Sequence, residues 1–483
     1  MSTMTQTPRS GSGLDSWFEI TKRGSDTGRE IRGGIVTFIT MAYIVVLNPL
    51  IIGTVPDSTG KFLGGGAGPN IPLVAAATAL LAGLLTIAMG LFGKMPIALA
   101  AGLGLNGFVA YQIATKSTWE QAMGLVVLEG LIILVLVLTG FRRAVFEAVP
   151  AGLRYAIGVG IGLFITLIGL VDAKIVQQGV PLATLGSGGT MNTWPMFVFC
   201  AGLIVTIILV AKQIRGGILI GIAVATVLAF IVEAAFKPMI AGADGAMKSA
   251  WSLNTPKFSG TPIASPDFSL LGQVDLFGAL KAAPLAAGLA IFTLLLSDFF
   301  DTMGTVYGIA AEADLLDENG NVPNLDKVLI VDSVAAAAGG FGGTSSNTSY
   351  IESASGVGDG ARTGLASVVT GGLFLLATFI APLVGVIPHE AATPALVVVG
   401  FLMLTQIKKI DFSDYSIGIP AFLTMVMMPF TYSIANGIGA GFISWVAIKA
   451  ATGRSKEIKP LMWVVALAFV VFFAMHLVTV WFG

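Results

Sequence analysis

The sequence predicts an all-α polytopic membrane protein, and three observations predict it. Hydrophobic residues make up 55% of the chain and charged residues only 11%, whereas soluble domains carry about 25% charged residues. Apolar stretches of about 20 residues recur from residue 31 to the C-terminus, each long enough for a roughly 30 Å hydrocarbon core. The basic residues of short connections also fall on alternate loops, as membrane insertion requires.

Hydropathy marks spans near 31–53, 72–93, 95–115, 121–140, 144–170, 194–211, 216–236, 281–311, 327–343, 344–358, 361–387, 391–406, 415–433, 436–451 and 460–482, a count of fourteen or fifteen. Residues 1–30 are polar, lack the apolar core of a cleaved signal, and read as a cytoplasmic tail. With that end inside, the inner loops and flanks collect Lys94, Arg142, Arg143, Arg154, Lys212, Arg215, Arg362, Lys408, Lys409, Arg454, Lys456 and Lys459. The short outer loops hold Lys61, Lys116 and Lys174. Residues 237–280, rich in Pro, Gly and Ser, form one long outer connection.

Seven spans (31–236) precede that connection, so a second copy of them (281–451) enters the membrane upside down, giving an inverted repeat. Faint internal similarity agrees: "TFITMAYIV" (37–45) lies over "FFDTMGTVY" (299–307). "GLGLNGF" (102–108) and "YIESASG" (350–356) fall at matched positions, each in a span interrupted by Gly or Ser. Discontinuous spans at matched positions point to a midplane binding site. Residues 452–483 add a C-terminal hydrophobic segment.

A carboxylate at mid-membrane costs at least about 2.5–3.5 kcal/mol, so it must face protein, water or ligand. Asp298, Asp301 and Thr305 stand at i, i+3 and i+7 of "LLLSDFFDTMGTVYG" and form one polar stripe on an apolar helix. Glu352 is a third intramembrane acid, following the small, hydroxylated run "GGFGGTSSNTSY" (339–350), whose freed backbone must line a cavity. Asn106 is the matching polar group of the first half, with interhelical bonding as its alternative role.

The two histidines are remote from these acids in sequence, His389 beside Glu390 in an outer loop and His476 in the last segment, so proton coupling would run through carboxylates. No His/Cys cluster, calcium loop, GxxxxGK[ST] loop or GxSxG elbow is present, which argues against a cofactor, a metal or an enzyme. The single Cys200 excludes an intramolecular disulfide framework. "NTS" at 347–349 lies within the hydrophobic core, not at a glycosylation site. No basic patch suggests nucleic acid.

Over about residues 17–450 the chain resembles the nucleobase-cation symporter 2 family, in the branch of AzgA-like purine permeases for adenine, guanine and hypoxanthine. The resemblance rests on "GGIVTFITMAYIVVLNP" (33–49), "GLGLNGF" (102–108), "SDFFDTMGT" (297–305) and "GGTSSNTSYIESASGVGDGARTGLASV" (342–368). It implies fourteen spans in two inverted seven-helix repeats, with spans 1–4 and 8–11 as a core domain and 5–7 and 12–14 as a gate. The third and tenth spans would be broken by extended segments meeting near the midplane. It also implies that Asn106, Asp301 and Glu352 bind the base, and that Asp298, with Thr305 beside it, serves coupling or supports the site. Uracil- and xanthine-type relatives carry Glu in an E-x-x-G pattern, and Asp301-Thr302-Met303-Gly304 matches that frame with a shorter acid.

The expected function is therefore proton-coupled import of purine nucleobases across the inner membrane by alternating access of core against gate. The expected partners are a purine base, protons and membrane lipid, with a homodimer left open. The alternatives are the same fold carrying xanthine, urate or uracil, or an anion carrier or channel. An anion site would need an intramembrane Arg or Lys, and none lies in the spans near the acids.

Overall fold

A computed structural model describes residues 13–140, 148–179, 182–186, 189–241, 247–257, 261–318 and 321–474. Arg142, Arg143, His476 and the end of the segment expected at 460–482 lie outside the described residues. Among the described residues, ten helices are long and apolar enough to cross a membrane. They are α1 (Thr27–Ile52, bent at Ala42–Tyr43), α2 (Ile71–Gly93), α3 (Trp119–Leu138), α4 (Ala151–Asp172), α5 (Trp194–Ala211), α6 (Gly217–Phe236), α7 (Pro284–Glu312), α9 (Gly364–Val384), α10 (His389–Lys409) and α12 (Ile434–Ala451). Three shorter helices complete the bundle: α8 (Leu325–Phe341), α11 (Tyr415–Phe430) and α13 (Pro460–Phe473). The protein is a multi-pass membrane protein.

The expectation of an all-α chain needs one correction. Among the described residues, six three-residue strands form three antiparallel pairs: β1 (Leu99–Ala101) with β6 (Asn347–Ser349), β2 (Val176–Gln178) with β3 (Ala183–Leu185), and β4 (Met239–Ala241) with β5 (Met247–Ser249). The last two lie in connections that hydropathy leaves featureless. The first pair lies inside the bundle, where the sequence expects two broken spans. Leu99 faces Ser349, Ala100 faces Thr348 and Ala101 faces Asn347.

Short helices continue from both buried strands, Leu103–Phe108 after β1 and Ala354–Gly358 after β6. Backbone in a dry interior needs an internal partner for every polar group. The Thr86 hydroxyl accepts from Leu99 N at 2.9 Å and donates to Leu99 O at 3.0 Å. The register continues through Tyr350 N to Ala98 O at 3.0 Å and Gly102 N to Ser346 O at 2.9 Å. All three residues of the "NTS" run are buried in β6.

Glycines let the helices meet backbone to backbone, the mode favoured where lipid offers no hydrophobic drive between helices. A Cβ on Gly130 of α3 would fall 2.3 Å from Ala337 N of α8. One on Gly90 of α2 would fall 2.4 Å from Gly364 O of α9. Extensive packing joins α3 with α8, α2 with α9, and α1 with α9. A second set of close neighbours comprises α4 with α10 and α11, α11 with α12, and α5 with α6. Contacts between these two sets are sparse.

At the end of the bundle nearest the N-terminus, Glu30 is fully buried and accepts from Arg362 N at 2.8 Å and Thr363 N at 3.2 Å. Asp359 there receives Arg32 Nε at 2.5 Å and Arg215 Nη1 at 2.6 Å. His389 and Glu390 differ from the expected outer loop. They begin α10 and are buried, and Glu390 accepts from Ser252 N at 2.9 Å and Ser252 Oγ at 2.6 Å.

Candidate functional site

The β1–β6 pair, α1, α3, α7 and α8 bring five acids toward one region. The expected stripe of Asp298, Asp301 and Thr305 divides in two. Asp298 and Thr305 are buried, together with Thr302 between them, whereas Asp301 is exposed. The helical wheel accounts for this, because 298, 302 and 305 lie within one narrow arc and 301 sits about 60° to its side. Exposure continues from Asp301 through Gly304, Gly308, Ala311 and Glu312, one line running to the end of α7. A Cβ on Gly304 would meet nothing within 4 Å, so this line borders open space.

The Asp301 carboxyl has no hydrogen-bond partner among the described residues, and Glu352 and Asp332 are the charged groups within its electrostatic reach. Glu352 is half-buried and accepts a hydrogen bond from the Tyr43 hydroxyl of α1. Tyr350, two residues earlier, donates its hydroxyl to Ala101 O at 2.6 Å. That bond ties the segment holding Glu352 to the end of β1.

Asp298 belongs to a different environment. Ser346 Oγ lies 3.3 Å from Asp298 Oδ2 and 3.3 Å from Glu129 Oε2. Thr302 donates its hydroxyl to Asp332 Oδ2 at 2.7 Å and lies 2.8 Å from Thr348 Oγ1. Ser349 donates to Asp332 Oδ1 at 2.7 Å. The Ser346 hydroxyl, one residue before β6, thus joins Asp298 to Glu129, while hydroxyls of α7 and β6 hold Asp332, and all three acids are buried. Among the described residues no lysine, arginine or histidine forms an ion pair with Glu129, Asp298, Asp301 or Glu352.

Asn106 is not brought to the acids. Fully buried, it donates Nδ2 to Asn48 Oδ1 at 2.6 Å, and Asn48 in turn donates to Thr78 Oγ1 at 2.9 Å and Thr344 O at 3.2 Å. A carbonyl can only accept, so Thr344 O fixes which end of the Asn48 amide faces Asn106. Asn106 Oδ1 is left as a buried acceptor without a partner.

Sequence reasoning missed Glu129, Asp332 and Asn48. The signal for the two acids is present: each interrupts an apolar run, "GLVVLEGLIIL" and "VLIVDSVAAAA", where the membrane cost applies as it does to Asp298.

A family model described as "Permease family" matches residues 28–440. The chain belongs to this family. The permease is 36% identical over 474 residues to the adenine permease AdeP of Escherichia coli (strain K12), covering 97% of this chain and 98% of that protein. It is 37% identical over 467 residues to the guanine/hypoxanthine permease PbuG of Bacillus subtilis (strain 168), covering 95% and 99%. The resemblance to nucleobase-cation symporters drawn from the motifs is thereby borne out, and the protein is a transporter, not an enzyme. In fold alone the permease is similar to the transmembrane domain of a cyanobacterium bicarbonate transporter, BicA, with a TM-score of 0.57 and 12% identity over 86% of this chain and 97% of that one.

An aromatic cluster joins the first broken span to the helices around α4. Tyr432, in the turn between α11 and α12, packs edge-on against Tyr111 with centroids 5.7 Å apart and against Phe164 of α4 at 5.3 Å. Gln112 donates to Tyr432 O, and Tyr111 donates its hydroxyl to Asp172 Oδ2 at 3.3 Å.

Proposed function

We propose that the permease is a proton-coupled importer of purine nucleobases (guanine, hypoxanthine or adenine) in the inner membrane. The carrying observation is Asp301, an exposed acid without a protein partner beside Glu352, at the meeting of two broken spans. Purine ring N–H groups donate, and carboxylates accept. Asp301 and Glu352 hold these N–H groups. Asn106 recognises the base through Oδ1, the acceptor left free by Asn48, once the surrounding helices part. Asp298 couples the site to protons, and Thr305 supports it along the same arc. The relatives, an adenine permease and a guanine/hypoxanthine permease, support this substrate class.

Transport proceeds by movement of a core (spans 1–4 and 8–11) against a gate (spans 5–7 and 12–14), fourteen spans in two inverted repeats over 31–236 and 281–451, followed by the segment 452–483. Paired contacts support the repeat: α3 with α8 has its counterpart in α9 with α2, and β1 faces β6. Sparse packing between the two sets supports their relative motion. With the N-terminus in the cytoplasm, as the basic loops favour, the exposed line of α7 opens inward and the Tyr111–Tyr432–Phe164 contact closes the outer side. This is an inward-facing state.

The test is uptake of labelled hypoxanthine by cells lacking their own purine permeases, in competition with adenine, guanine, xanthine and uracil. Saturable uptake inhibited by adenine or guanine and not by uracil is expected. Absence of uptake by a well-expressed protein would refute the substrate assignment.

A further inference from the structure

The proposed function uses Asp301 and Glu352 for the base and leaves Glu129 without a task. Glu129 stands ten residues into α3, fully buried, with apolar neighbours along its own helix. Its position is fixed by the next residue, because Gly130 rests on the backbone of α8. The groups facing it come from the elements packed around α3. From α7 comes Asp298, from the residue just before β6 the Ser346 hydroxyl, and from α8 Asp332, which acts on it electrostatically. The charged groups acting on Glu129 are all acids.

One hydroxyl, Ser346 Oγ, lies 3.3 Å from Glu129 Oε2 and 3.3 Å from Asp298 Oδ2, which sets the two carboxyls side by side. Each also keeps one buried oxygen, Glu129 Oε1 and Asp298 Oδ1, that no N–H or O–H of the described residues reaches. Two carboxylates have acceptors only and cannot bond each other, whereas a carboxylic acid and a carboxylate can, through one proton. Ser346, bridging both side chains, holds them in register without supplying that proton.

From this geometry we infer that Glu129 and Asp298 hold one proton between them, and that Glu129 is a further residue of the coupling machinery. The loaded pair carries one negative charge. Loss of its proton leaves two carboxylates in contact in a dry interior, so release requires the carboxyls to part, and rebinding of a proton draws them together. The proton thereby becomes linked to the relative position of α3, α7 and β6, the elements that frame the base site.

The coupling half of this inference rests on the proposed proton-coupled transport, while the shared proton does not, and the two are tested separately. Infrared spectra of the purified full chain at neutral pH should contain a protonated-carboxyl band that weakens in the double variant Glu129→Gln/Asp298→Asn. An unchanged band in that variant overturns the shared proton. In proteoliposomes containing a pH dye, the wild-type protein should take up protons with hypoxanthine. Glu129→Gln should lose that proton uptake and accumulate base no higher than the external concentration, and Glu129→Asp, which keeps a carboxyl, should restore part of both. An unchanged proton-to-base ratio in Glu129→Gln overturns its role in coupling. If the wild-type protein moves base without protons, the proposed transport mode fails while the infrared result still decides whether the pair is protonated.

Discussion

Thr86→Val tests how the bundle tolerates a strand in its interior. The Thr86 hydroxyl is fully buried and satisfies both polar groups of Leu99, accepting from N at 2.9 Å and donating to O at 3.0 Å. Valine keeps the shape and removes both bonds, leaving a buried donor and a buried acceptor, each costing about 1–3 kcal/mol. The added methyl returns roughly 0.8 kcal/mol, so the net loss is about 1–5 kcal/mol. β1 fixes β6, and the bond from Tyr350 to Ala101 carries that register to Glu352, so function should fall with stability. The assay is thermal unfolding in detergent, followed by tryptophan fluorescence, with hypoxanthine uptake at matched membrane levels. Thr86→Val should unfold several degrees lower and transport poorly, whereas Thr86→Ser, which keeps the hydroxyl, should stay near wild type. Equal stability and uptake in Thr86→Val would refute the claim that this hydroxyl replaces the missing strand partner.

Asp301→Asn should abolish uptake while the protein still reaches the membrane, measured by transport and immunoblot together; normal transport would remove Asp301 from the site. Glu352→Gln should lose base binding in an equilibrium assay, and unchanged affinity would reduce it to a partner for Tyr43. Gly304→Leu should block uptake by filling open space with little change in unfolding temperature, since a Cβ there meets nothing within 4 Å; full uptake would show that this face does not line the route. Asp57 lies in the connection after α1. Its burial acts to raise its pKa, but bonds from Thr59, Lys61 N and Trp119 N hold the carboxyl below its ordinary value. That stabilisation is present above about pH 4 and is lost as pH falls below it, so Asp57→Asn should lower stability at pH 7 by roughly 1–3 kcal/mol and flatten the acid dependence seen in unfolding scans.

Membrane crossing was legible because a span of about 20 apolar residues has few alternatives. The broken spans were legible for a related reason: "GLGLNGF" and "GGTSSNTSY" are too rich in Gly and Ser for uniform lipid-facing helix. The strand pairs 176–178 with 183–185 and 239–241 with 247–249 were not, because three-residue strands carry no usable period. Asp298 and Asp301 stood out singly, but their different exposure depends on the wheel position of each against neighbours that the sequence does not locate. Glu129 and Asp332 escaped for want of a motif around them, although the membrane cost that exposes Asp298 applies equally to both.

The chemistry of the contacts separates the rigid parts of the permease from those free to move. Within each set of helices the closest approaches are backbone on backbone, at Gly130 against Ala337, Gly90 against Gly364, and Gly162 against Gly400, whose carbonyl oxygen would stand 2.8 Å from a Cβ on Gly162. Such contacts fit in one arrangement and leave no room for sliding. Between the first broken span and the second set the join is the ring of Tyr111 on Tyr432, and between the two sets Arg215 reaches Asp359. Ring contacts of this kind are worth about 0.5–1.5 kcal/mol each beyond their area, and the Arg215 side chain, 54% exposed, makes an ion pair worth about 0–1 kcal/mol. Both lie within reach of the few kcal/mol that ligand and proton binding can redistribute between two states. Glu129 and Asp332 stand on α3 and α8 of the first set, and Asp298 and Asp301 stand on α7, which packs against α3. In the proposed mechanism, a change in their charge is borne as a shift of the first set, with α7, against its neighbour, the motion that would expose Asp301 first on one side of the membrane and then on the other.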